Sequence, residues 1–308
     1  AARDCVGPEA LQAVDALREG DVLLLENLRF HPGEEANDPA FARQLAALGD
    51  IYVNDAFGTA HRAHASTVGI TQFLPSYMGP LLAREIEILD EILHHPKRPF
   101  IAVLGGAKVA DKIGVIERLL TLCDAIVVGG GMANTLLAAQ GFNVGKSLRD
   151  KDLQPAKDIM HKIEHAATKV DVHLPKDAIV APALAPDVET RDVEIDQVGS
   201  DDMILDIGAG TAMDYRGVIL EAKTVLWNGP MGVFEYDAFA AGTEAVGQAI
   251  VDSGAISVVG GGDSAAAAHK LGFADKMTHI STGGGATLEY LEGKQLPGVA
   301  ALQSKATV

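Results

Sequence analysis

Cysteine is scarce in this chain. Cys5 and Cys123 are the two cysteines among 308 residues. They are too few for a disulfide framework, and they lack the spacing of a metal site. The sequence therefore predicts a fold held by apolar cores, for which 48% hydrophobic residues is ample. The length predicts about two domains.

Long apolar runs are missing as well. No stretch reaches the ~20 apolar residues that a membrane-spanning helix needs. The opening residues, Ala1–Asp4, have neither the basic nor the apolar region of a signal peptide. The sequence also begins without methionine, as expected of a fragment or a processed product. We expect no membrane partner and a cytoplasmic location.

Basic residues are few relative to acidic ones. The chain has 25 lysines and arginines against 42 aspartates and glutamates, a net charge of −17. A nucleic-acid-binding domain would present a basic face, so we expect no nucleic-acid partner. We interpret the acidity mainly as a contribution to solubility.

Strands and helices alternate regularly from Phe100 onward. The predicted strands lie near Phe100–Leu104, Ala125–Val128, Ala178–Ala181, Met203–Asp206, Thr224–Trp227, Ile256–Val259 and Thr278–Ile280. The predicted helices lie near Asp111–Thr121, Met132–Ala139, Leu153–Ala167, Ala212–Glu221, Ala238–Asp252 and Ser264–Leu271. Such alternation indicates βαβ units around a parallel sheet. The predicted fold class is therefore α/β.

The first hundred residues have a less regular pattern. We predict helices at Ala10–Arg18 and Asp38–Leu48, and strands at Asp21–Glu26 and Asp50–Asn54. Leu81–Leu93 predicts a long amphipathic helix that ends before a proline. We interpret this helix as the link between two domains.

Glycine clusters follow most of the predicted strands. They are Gly105–Gly106, Gly129–Gly131, Gly208, Gly229, Gly260–Gly262 and Gly283–Gly285. Ligands of parallel sheets bind at the carboxyl ends of the strands, and glycine lets the backbone approach a ligand closely. The order of strand, three glycines and helix occurs twice in succession, at Ala255–His269 and at Thr278–Leu291. We therefore expect one ligand-binding edge of a parallel sheet.

Asp263 and Ser264 follow the first of these triple glycines. The first N–H groups of a helix have no intrahelical partner, and the helix dipole is positive there, so the position suits phosphate. The Asp263 carboxylate adds an oxygen ligand of the kind that Mg²⁺ prefers. The sequence thus predicts a phosphate site beside a Mg²⁺ ligand.

Lys108 and Lys112 follow the double glycine at 105–106. Their spacing predicts that both lie on one face of the next helix. Lysine is a movable point charge for phosphate, yet cations at a helix N-terminus oppose the dipole. Because such conflicts cluster at functional sites, we interpret both lysines as phosphate ligands rather than as a solvated first turn.

Glycines, a proline and apolar side chains occupy Leu226–Glu235. They could line a flat slot for a base, with Glu235 available to ribose hydroxyls, although an ordinary strand-ending turn explains the pattern equally well. Arg29 and Arg62 both lie in predicted loops after strands. The guanidinium group matches carboxylate and phosphate, but surface arginines are also common.

Three tempting motifs are incomplete. Gly141–Ser147 ends like a phosphate-binding P-loop, but Gln140 stands where the first glycine belongs. Gly208–Met213 lacks the last position of the dinucleotide fingerprint, so an NAD-dependent dehydrogenase is only the runner-up hypothesis. His61 and His64 have no evident third metal ligand, and we interpret them as hydrogen-bonded loop histidines.

Taken together, these motifs resemble one family. The segments that carry the resemblance are Glu26–His31, His61–Ser66, Gly105–Lys112, Leu226–Glu235, Gly260–Ser264 and Thr282–Ala286. From near residue 20 to the C-terminus, and in the same order, they are similar to phosphoglycerate kinase. The resemblance implies two Rossmann-like domains with parallel sheets joined by a hinge helix. It also implies a monomer that moves a phosphoryl group between 1,3-bisphosphoglycerate and ADP in glycolysis, with Mg²⁺ accompanying the nucleotide.

The resemblance implies domain boundaries too. Residues 1–79 would be the remainder of a phosphoglycerate-binding domain and residues 80–95 the hinge helix. Residues 96–288 would bind the nucleotide, ADP or ATP, and residues 289–308 would return to the first domain.

Site residues follow from the same resemblance. Arg29 and Arg62 would grip phosphoglycerate, Lys108 would contact the transferring phosphoryl group, Lys112 would contact the nucleotide phosphates, and Asp263 would ligate Mg²⁺. The remaining nucleotide-binding set is Gly106, Gly130, Gly131, Gly208, Asn228, Pro230, Val233, Glu235 at the ribose, Gly260, Gly261, Gly262, Asp263 and Ser264. The amides of Gly283, Gly284 and Gly285 would support the phosphoryl group in transfer.

Two segments of the family pattern do not occur in this sequence. They are an Asp-x-Asn segment and a His-Leu-Gly-Arg segment, which in the family supply further phosphoglycerate contacts and a catalytic arginine. We therefore expect an incomplete first domain and a chain that binds Mg-ADP but transfers phosphoryl poorly. A nucleotide-binding fragment without turnover is the non-enzyme alternative.

Overall fold

The computed structural model of the protein describes residues 1–165 and 170–303. Its strands, in chain order, are β1 (Tyr52–Asn54), β2 (Ser76–Met78), β3 (Phe100–Leu104), β4 (Ala125–Val128), β5 (Asp171–His173), β6 (Asp177–Ala181), β7 (Arg191–Glu194), β8 (Met203–Ile207), β9 (Thr224–Asn228), β10 (Ile256–Val259) and β11 (His279–Ile280). Its α-helices are α1 (Gly7–Asp15), α2 (Pro32–Glu35), α3 (Pro39–Ala46), α4 (Pro80–His94), α5 (Ile113–Leu122), α6 (Gly130–Ala139), α7 (Gln154–His165), α8 (Ala209–Leu220), α9 (Ala241–Ser253), α10 (Gly262–Lys270), α11 (Gly285–Leu291) and α12 (Pro297–Gln303).

The chain divides into two compact units. The first contains Ala1–Glu87 and the chain from Gly293 onward, and the second contains Ile88–Glu292. Helix α12 belongs to the first unit, where the Gly298 N–H donates to the Ala60 carbonyl at 2.8 Å. The domain roles stated above stay predictions.

A six-stranded parallel sheet forms the centre of the second unit. Its strand order is β11-β10-β9-β3-β4-β5, and every residue of β3, β4 and β9 is buried. Strands buried on both faces have near-continuous apolar sequences. For this reason β3, β4 and β9 could be predicted from the sequence. Five of these strands, and the α/β fold class, were predicted correctly. The polar edge strand β5 was not predicted.

The second sheet of this unit is antiparallel, which the sequence analysis did not predict. Strand β6 lies between β7 and β8 and is antiparallel to both. Parallel neighbours need a crossover of a dozen or more residues, usually through a helix. The connections around β7 are shorter, at residues 182–190 and 195–202, and contain no α-helix. The predicted strands at Ala178–Ala181 and Met203–Asp206 are therefore real but belong to this antiparallel sheet.

The first unit contains a two-stranded parallel sheet of β1 and β2. The strand predicted at Asp21–Glu26 is wrong, because the structure has no regular element there. Val22 and Leu24 are 95% and 73% exposed. An apolar run becomes a strand only when another strand satisfies its backbone groups. Among the described residues, Asp21–Glu26 has no such neighbour.

The predicted helices are present with shifted ends. Helix α1 runs three residues ahead of its predicted span because Pro8 suits a first turn. The helix predicted at Leu153–Ala167 begins at Gln154, and its last two residues lie outside the described part of the chain. No helix among residues 1–165 and 170–303 combines the length and the apolar composition needed to cross a membrane.

Candidate active site

The carboxyl edge of the six-stranded sheet brings several predicted site loops together. The Gly105 N–H donates to the Asn228 carbonyl at 2.9 Å, the Gly106 N–H to the Pro230 carbonyl at 3.3 Å, and the Gly130 N–H to the Met231 carbonyl at 2.8 Å. The loops after β3, β4 and β9 are therefore cross-linked through their backbones. These three loops lie together at the carboxyl edge of the sheet, and ligand binding there stays a prediction.

Two glycines of this edge serve the contact between loops. A Cβ added at Gly105 would lie 2.1 Å from the Pro230 carbonyl oxygen. One added at Gly229, whose φ is +108°, would lie 2.2 Å from the Gly105 carbonyl carbon. Neither position has space for a side chain. The sequence suggested that these glycines approach a ligand, whereas here they approach each other.

Lys112 lies between two strand ends. Its Nζ donates to the carbonyl of Gly105 at 2.8 Å and to that of Asn228 at 3.3 Å. The predicted helix face shared with Lys108 is wrong, because residues 110–112 form a 3-10 turn and α5 begins at Ile113. The lysine ammonium thus sits at the sheet edge instead of projecting from a helical turn.

Lys108 is exposed and precedes the 3-10 turn. The next two residues are held by Asp150, whose Oδ2 accepts the N–H of Val109 at 2.9 Å and of Ala110 at 3.1 Å. Asp150 was not predicted, since a contact across 41 residues has no local signal. Its carboxylate fixes the backbone next to Lys108 and leaves the lysine side chain at the surface of the unit.

Asn228 joins β9 to the triple glycine after β10. Its Nδ2 donates to the Gly260 carbonyl at 2.9 Å, while its buried Oδ1 has no hydrogen-bond partner among the described residues. Beside it, Ser264 Oγ accepts the Gly229 N–H at 2.5 Å. Ser264 and Gly260 are buried, so both have a structural contact at this edge. Gly261, at φ +91°, has the conformation that a non-glycine residue rarely adopts.

Asp263 lies in the first turn of α10 and is exposed. A Cβ added at the preceding Gly262 would meet nothing within 4 Å, so the helix N-terminus is open. In proteins Mg²⁺ is commonly held by one or two carboxylates together with substrate phosphates. The metal role of Asp263 stays a prediction.

A cavity of about 260 Å³ adjoins this edge and is lined mainly by apolar side chains. The predicted residues that line it are Gly106, Gly130, Gly131, Pro230, Val233, Glu235 and Asp263. The predicted nucleotide-binding residues outside its lining are Lys108, Lys112, Gly208, Asn228, Gly260, Gly261, Gly262 and Ser264, and the predicted Gly283, Gly284 and Gly285 also lie outside it. Lining residues that the sequence did not reveal include Asn134, Leu148, Leu184, Asp206 and Met231. Leu184 and Asp206 come from a loop and a strand of the antiparallel sheet, whose placement was not predicted.

Asp206 is the buried carboxyl group of this cavity wall. It is 2% exposed, and it accepts the N–H of Ile207 at 2.9 Å and of Gly242 at 2.7 Å. Burial raises the pKa of Asp206 to about 7, although the two N–H donors favour its charged form. The side chain connects the end of β8 to the first turn of α9.

Gly208 has a structural role in the described unit. It precedes α8, and a Cβ there would lie 2.4 Å from the Asp177 carboxyl carbon. The Asp177 carboxylate accepts the N–H of Gly210 and of Thr211, each at 2.7 Å. The Asp177 carboxylate therefore caps the α8 N-terminus beside Gly208, and the nucleotide contact of Gly208 stays a prediction.

The second triple glycine lies after β11. Gly283 is buried, and its N–H donates to Ser281 Oγ at 3.2 Å. Gly284 has φ +47° and open space around its Cα, and Gly285 begins α11. Of these three glycines, Gly284 and Gly285 are therefore the two nearest to solvent.

The two predicted arginines lie in the first unit and are exposed. Arg29 belongs to a 3-10 turn at Leu28–Phe30, and its Nε is 3.9 Å from Glu35 Oε1. It lines an open pocket of about 530 Å³, but Arg62 does not. Arg62 Nε contacts His61 Nε2 at 3.3 Å. The described structure does not join the two arginines into one site.

Buried Glu34 organises the wall of that pocket. Its carboxylate accepts the Ser66 N–H at 3.0 Å and the Ser66 hydroxyl at 2.5 Å, and it lies 3.7 Å from His64 Nδ1. His64 is thus a buried histidine beside a carboxylate, at a distance too long for a hydrogen bond. The Glu34 contact was not visible in the sequence, where Glu34 and Ser66 are 32 residues apart.

The residues at the sheet edge can bind an anion and a cation side by side. They combine open helix amides before Asp263, a lysine ammonium at the strand ends and an apolar cavity next to both. This combination suits the binding and positioning of a phosphorylated ligand.

Comparison with known proteins identifies the family. The family model described as phosphoglycerate kinase matches residues 1–294. Phosphoglycerate kinase of Pelotomaculum thermopropionicum is 56% identical over 306 residues, covering 99% of this chain and 77% of the relative. That of Moorella thermoacetica is 57% identical, covering 98% and 77%.

Solved structures agree with the sequence comparison. The structure of phosphoglycerate kinase from Coxiella burnetii has a TM-score of 0.88 at 44% identity and covers 95% of this chain and 75% of that one. The enzyme from Pyrococcus horikoshii gives a TM-score of 0.84 at 36% identity, with 98% and 77% covered. Sequence and fold agree over nearly the whole chain, and the chain belongs to the phosphoglycerate kinase family.

Proposed function

We propose that the chain carries out the family's phosphoryl transfer with its nucleotide bound at the carboxyl edge of the six-stranded sheet. One observation carries the proposal: a mainly apolar cavity opens beside the α10 N-terminus. Asp263 lies in the first turn of α10 and also lines this cavity. The apolar cavity suits a base and ribose, while the helix amides suit phosphates. A nucleoside diphosphate has these two parts in this order.

Within that site, we assign a separate role to each backbone segment and side chain. The backbone of Gly130, Gly131 and Pro230 would border the base, and the Glu235 carboxylate would accept ribose hydroxyls. Lys112 would add positive charge at the strand ends, where the phosphates meet the sheet. Val233 would close the apolar wall.

Phosphoryl transfer requires positioning and charge stabilisation more than covalent chemistry. Lys108, which directly precedes the two residues whose backbone N–H groups Asp150 accepts, would contact the phosphoryl group in transfer. The amides of Gly284 and Gly285 would support it from the α11 side. Mg²⁺, when bound with the nucleotide, would neutralise phosphate charge, and the Asp263 carboxylate would be its protein ligand.

The first unit would supply the acid substrate's contacts. Arg29 borders a pocket of about 530 Å³ with the amide of Asn54 in its wall, and a guanidinium group binds carboxylate or phosphate. Arg62 would be the second contact for phosphoglycerate. We further propose a cytoplasmic monomer.

Two measurements on the same purified chain test this function. Titration calorimetry with Mg-ADP should give one binding site, and a coupled assay should show slow transfer from 1,3-bisphosphoglycerate. Slow turnover is expected because loss of a charge-stabilising arginine can cost about 10³-fold or more. Binding with no transfer at all would favour the alternative, a nucleotide-binding chain without turnover. Absence of Mg-ADP binding would refute the proposed site.

A further inference from the structure

Asp4, Cys5 and His31 bring three kinds of metal ligand together in the first unit. One carboxylate oxygen, one thiol sulfur and one imidazole nitrogen all lie within 4.8 Å of one another. His31 Nε2 is 2.7 Å from Asp4 Oδ1, across 27 residues of sequence. The separation explains why the spacing of the cysteines indicated no metal site. Only the fold brings the histidine to the cysteine.

The His31 and Asp4 side chains are oriented by ring packing and by hydrogen bonds from backbone N–H groups. The His31 ring stacks on Phe41 with 5.2 Å between ring centroids. Asp4 Oδ1 accepts the N–H of Cys5 at 2.6 Å and makes a longer contact of 3.4 Å with the N–H of Val6. Packing and hydrogen bonds that orient ligands are typical of metal sites. The three donors therefore do not depend on a metal for their approximate positions.

The donor set favours Zn²⁺ among the common ions. Tetrahedral Zn²⁺ is bound by sulfur, nitrogen and oxygen at ~2.0–2.3 Å, which places ligand atoms roughly 3.3–3.7 Å apart. Shifts of about 1 Å or less would bring the present donors to that spacing. Thiolate and imidazole are poor ligands for Mg²⁺ and Ca²⁺, which prefer oxygen. Three protein ligands would leave a fourth position for water.

An ion can reach the cluster from solvent. The side chains of His31 and Asp4 are 34% and 44% exposed, while Cys5 is fully buried beneath them. We propose that Asp4, Cys5 and His31 form a Zn²⁺-binding site separate from the nucleotide's Mg²⁺. The competing explanation is a plain ion pair between His31 and Asp4, with Cys5 an inert core residue. The two differ in whether the Cys5 sulfur binds the ion.

Cobalt(II) chloride is the probe that reports on sulfur directly. Added to the reduced chain, Co²⁺ should give a thiolate-to-metal absorption band in the near ultraviolet that saturates at one equivalent. The band should vanish in Cys5→Ser and persist in Cys123→Ser, whose thiol is buried elsewhere at the end of α5. Zinc chloride should abolish the band, whereas excess magnesium chloride should leave it unchanged.

Two further variants test the proposal independently if Cys5→Ser does not fold. His31→Gln and Asp4→Asn change partly exposed side chains and should each weaken Zn²⁺ binding by about tenfold or more in calorimetry. Zn²⁺ should raise the Tm of the parent chain and of Cys123→Ser more than that of either variant. The proposal is overturned by the absence of a thiolate band. It is equally overturned by a band that saturates only at millimolar metal, or by equal Zn²⁺ affinity in the parent chain and His31→Gln.

Discussion

The side-chain amide of Asn228 donates to the Gly260 carbonyl at 2.9 Å and so connects the end of β9 to the glycine turn before α10. The other amide atom, Oδ1, is buried without a hydrogen-bond partner among the described residues. A buried acceptor without a donor is costly. We infer that the Asn228 side chain stabilises the glycine turn before α10 and leaves Oδ1 available to a ligand bound at the sheet edge.

Asn228→Ala should weaken Mg-ADP binding by about tenfold, because loss of one hydrogen bond of ~1–1.5 kcal/mol loosens the turn that presents the α10 amides. Calorimetry on parent and variant chains measures the change. Asn143→Ala is the matched control, since its amide also donates to a backbone carbonyl, that of Val198 at 2.8 Å, away from the cavity. Equal losses in both variants would mean that Asn228 contributes only general stability.

Lys108→Ala should lower kcat by about 10²-fold while changing the Kd of Mg-ADP far less. The physical reason is that a contact made to charge that develops during transfer stabilises the transition state more than the ground state. The coupled assay gives kcat and calorimetry gives Kd. Lys146→Ala is the control, because Lys146 is an exposed lysine that already pairs with Asp201 at 2.7 Å. A parallel loss of kcat and affinity would show that Lys108 binds only ground-state phosphate.

Asp263→Asn should weaken binding of Mg-ADP by about tenfold or more, and leave binding of metal-free ADP nearly unchanged. The amide keeps the size and loses the charge that Mg²⁺ requires. Calorimetry with and without magnesium separates the two affinities, and Asp201→Asn, 91% exposed at its side chain, serves as the control. The same loss in both conditions would identify Asp263 as a helix-capping residue rather than a metal ligand.

Asp206 should make the free energy of unfolding fall as pH rises from about 4 to about 7. In the unfolded chain its pKa is near 3.8, and in the folded chain it is about 7. The folded state therefore keeps a proton that the unfolded state releases within this window. Three pKa units correspond to at most about 4 kcal/mol.

Urea unfolding across that window, with parent and Asp206→Asn compared, measures this contribution. The variant should gain stability relative to the parent as pH rises. Asp252→Asn is the control, because pairing with Arg216 lowers the pKa of Asp252 and places its titration below the window. Parallel curves for the parent and Asp206→Asn would contradict a raised pKa for this carboxyl.

Local patterns in the sequence were sufficient to predict the strands and glycine loops at the carboxyl edge of the six-stranded sheet. The apolar runs of β3, β4, β9 and β10 and the glycines after them lie within short segments, so they could be read without knowledge of tertiary contacts. The position of Asp263 after its triple glycine was readable for the same reason.

Contacts between distant segments could not be read. The Lys112 ammonium reaches the Asn228 carbonyl across 116 residues, and the pattern around Lys112 suggested a helical position instead. Strand β7 is polar, with the sequence Arg-Asp-Val-Glu, so neither it nor the antiparallel sheet gave an apolar signal. In the sequence, Asp206 could not be distinguished from an exposed acid at the end of a strand. Its burial results from the packing of Gly232 and Gly242 against it, which only the structure shows.

The central claim is that the nucleotide binds at the carboxyl edge of the six-stranded sheet. A crystal structure of this chain grown with Mg-ADP tests it most directly. The account predicts adenosine in the cavity bordered by Gly131, Pro230 and Glu235, phosphates at the α10 N-terminus, and the metal bound by the Asp263 carboxylate. Nucleotide found elsewhere on the chain, or metal bound at this edge without Asp263, would contradict the account.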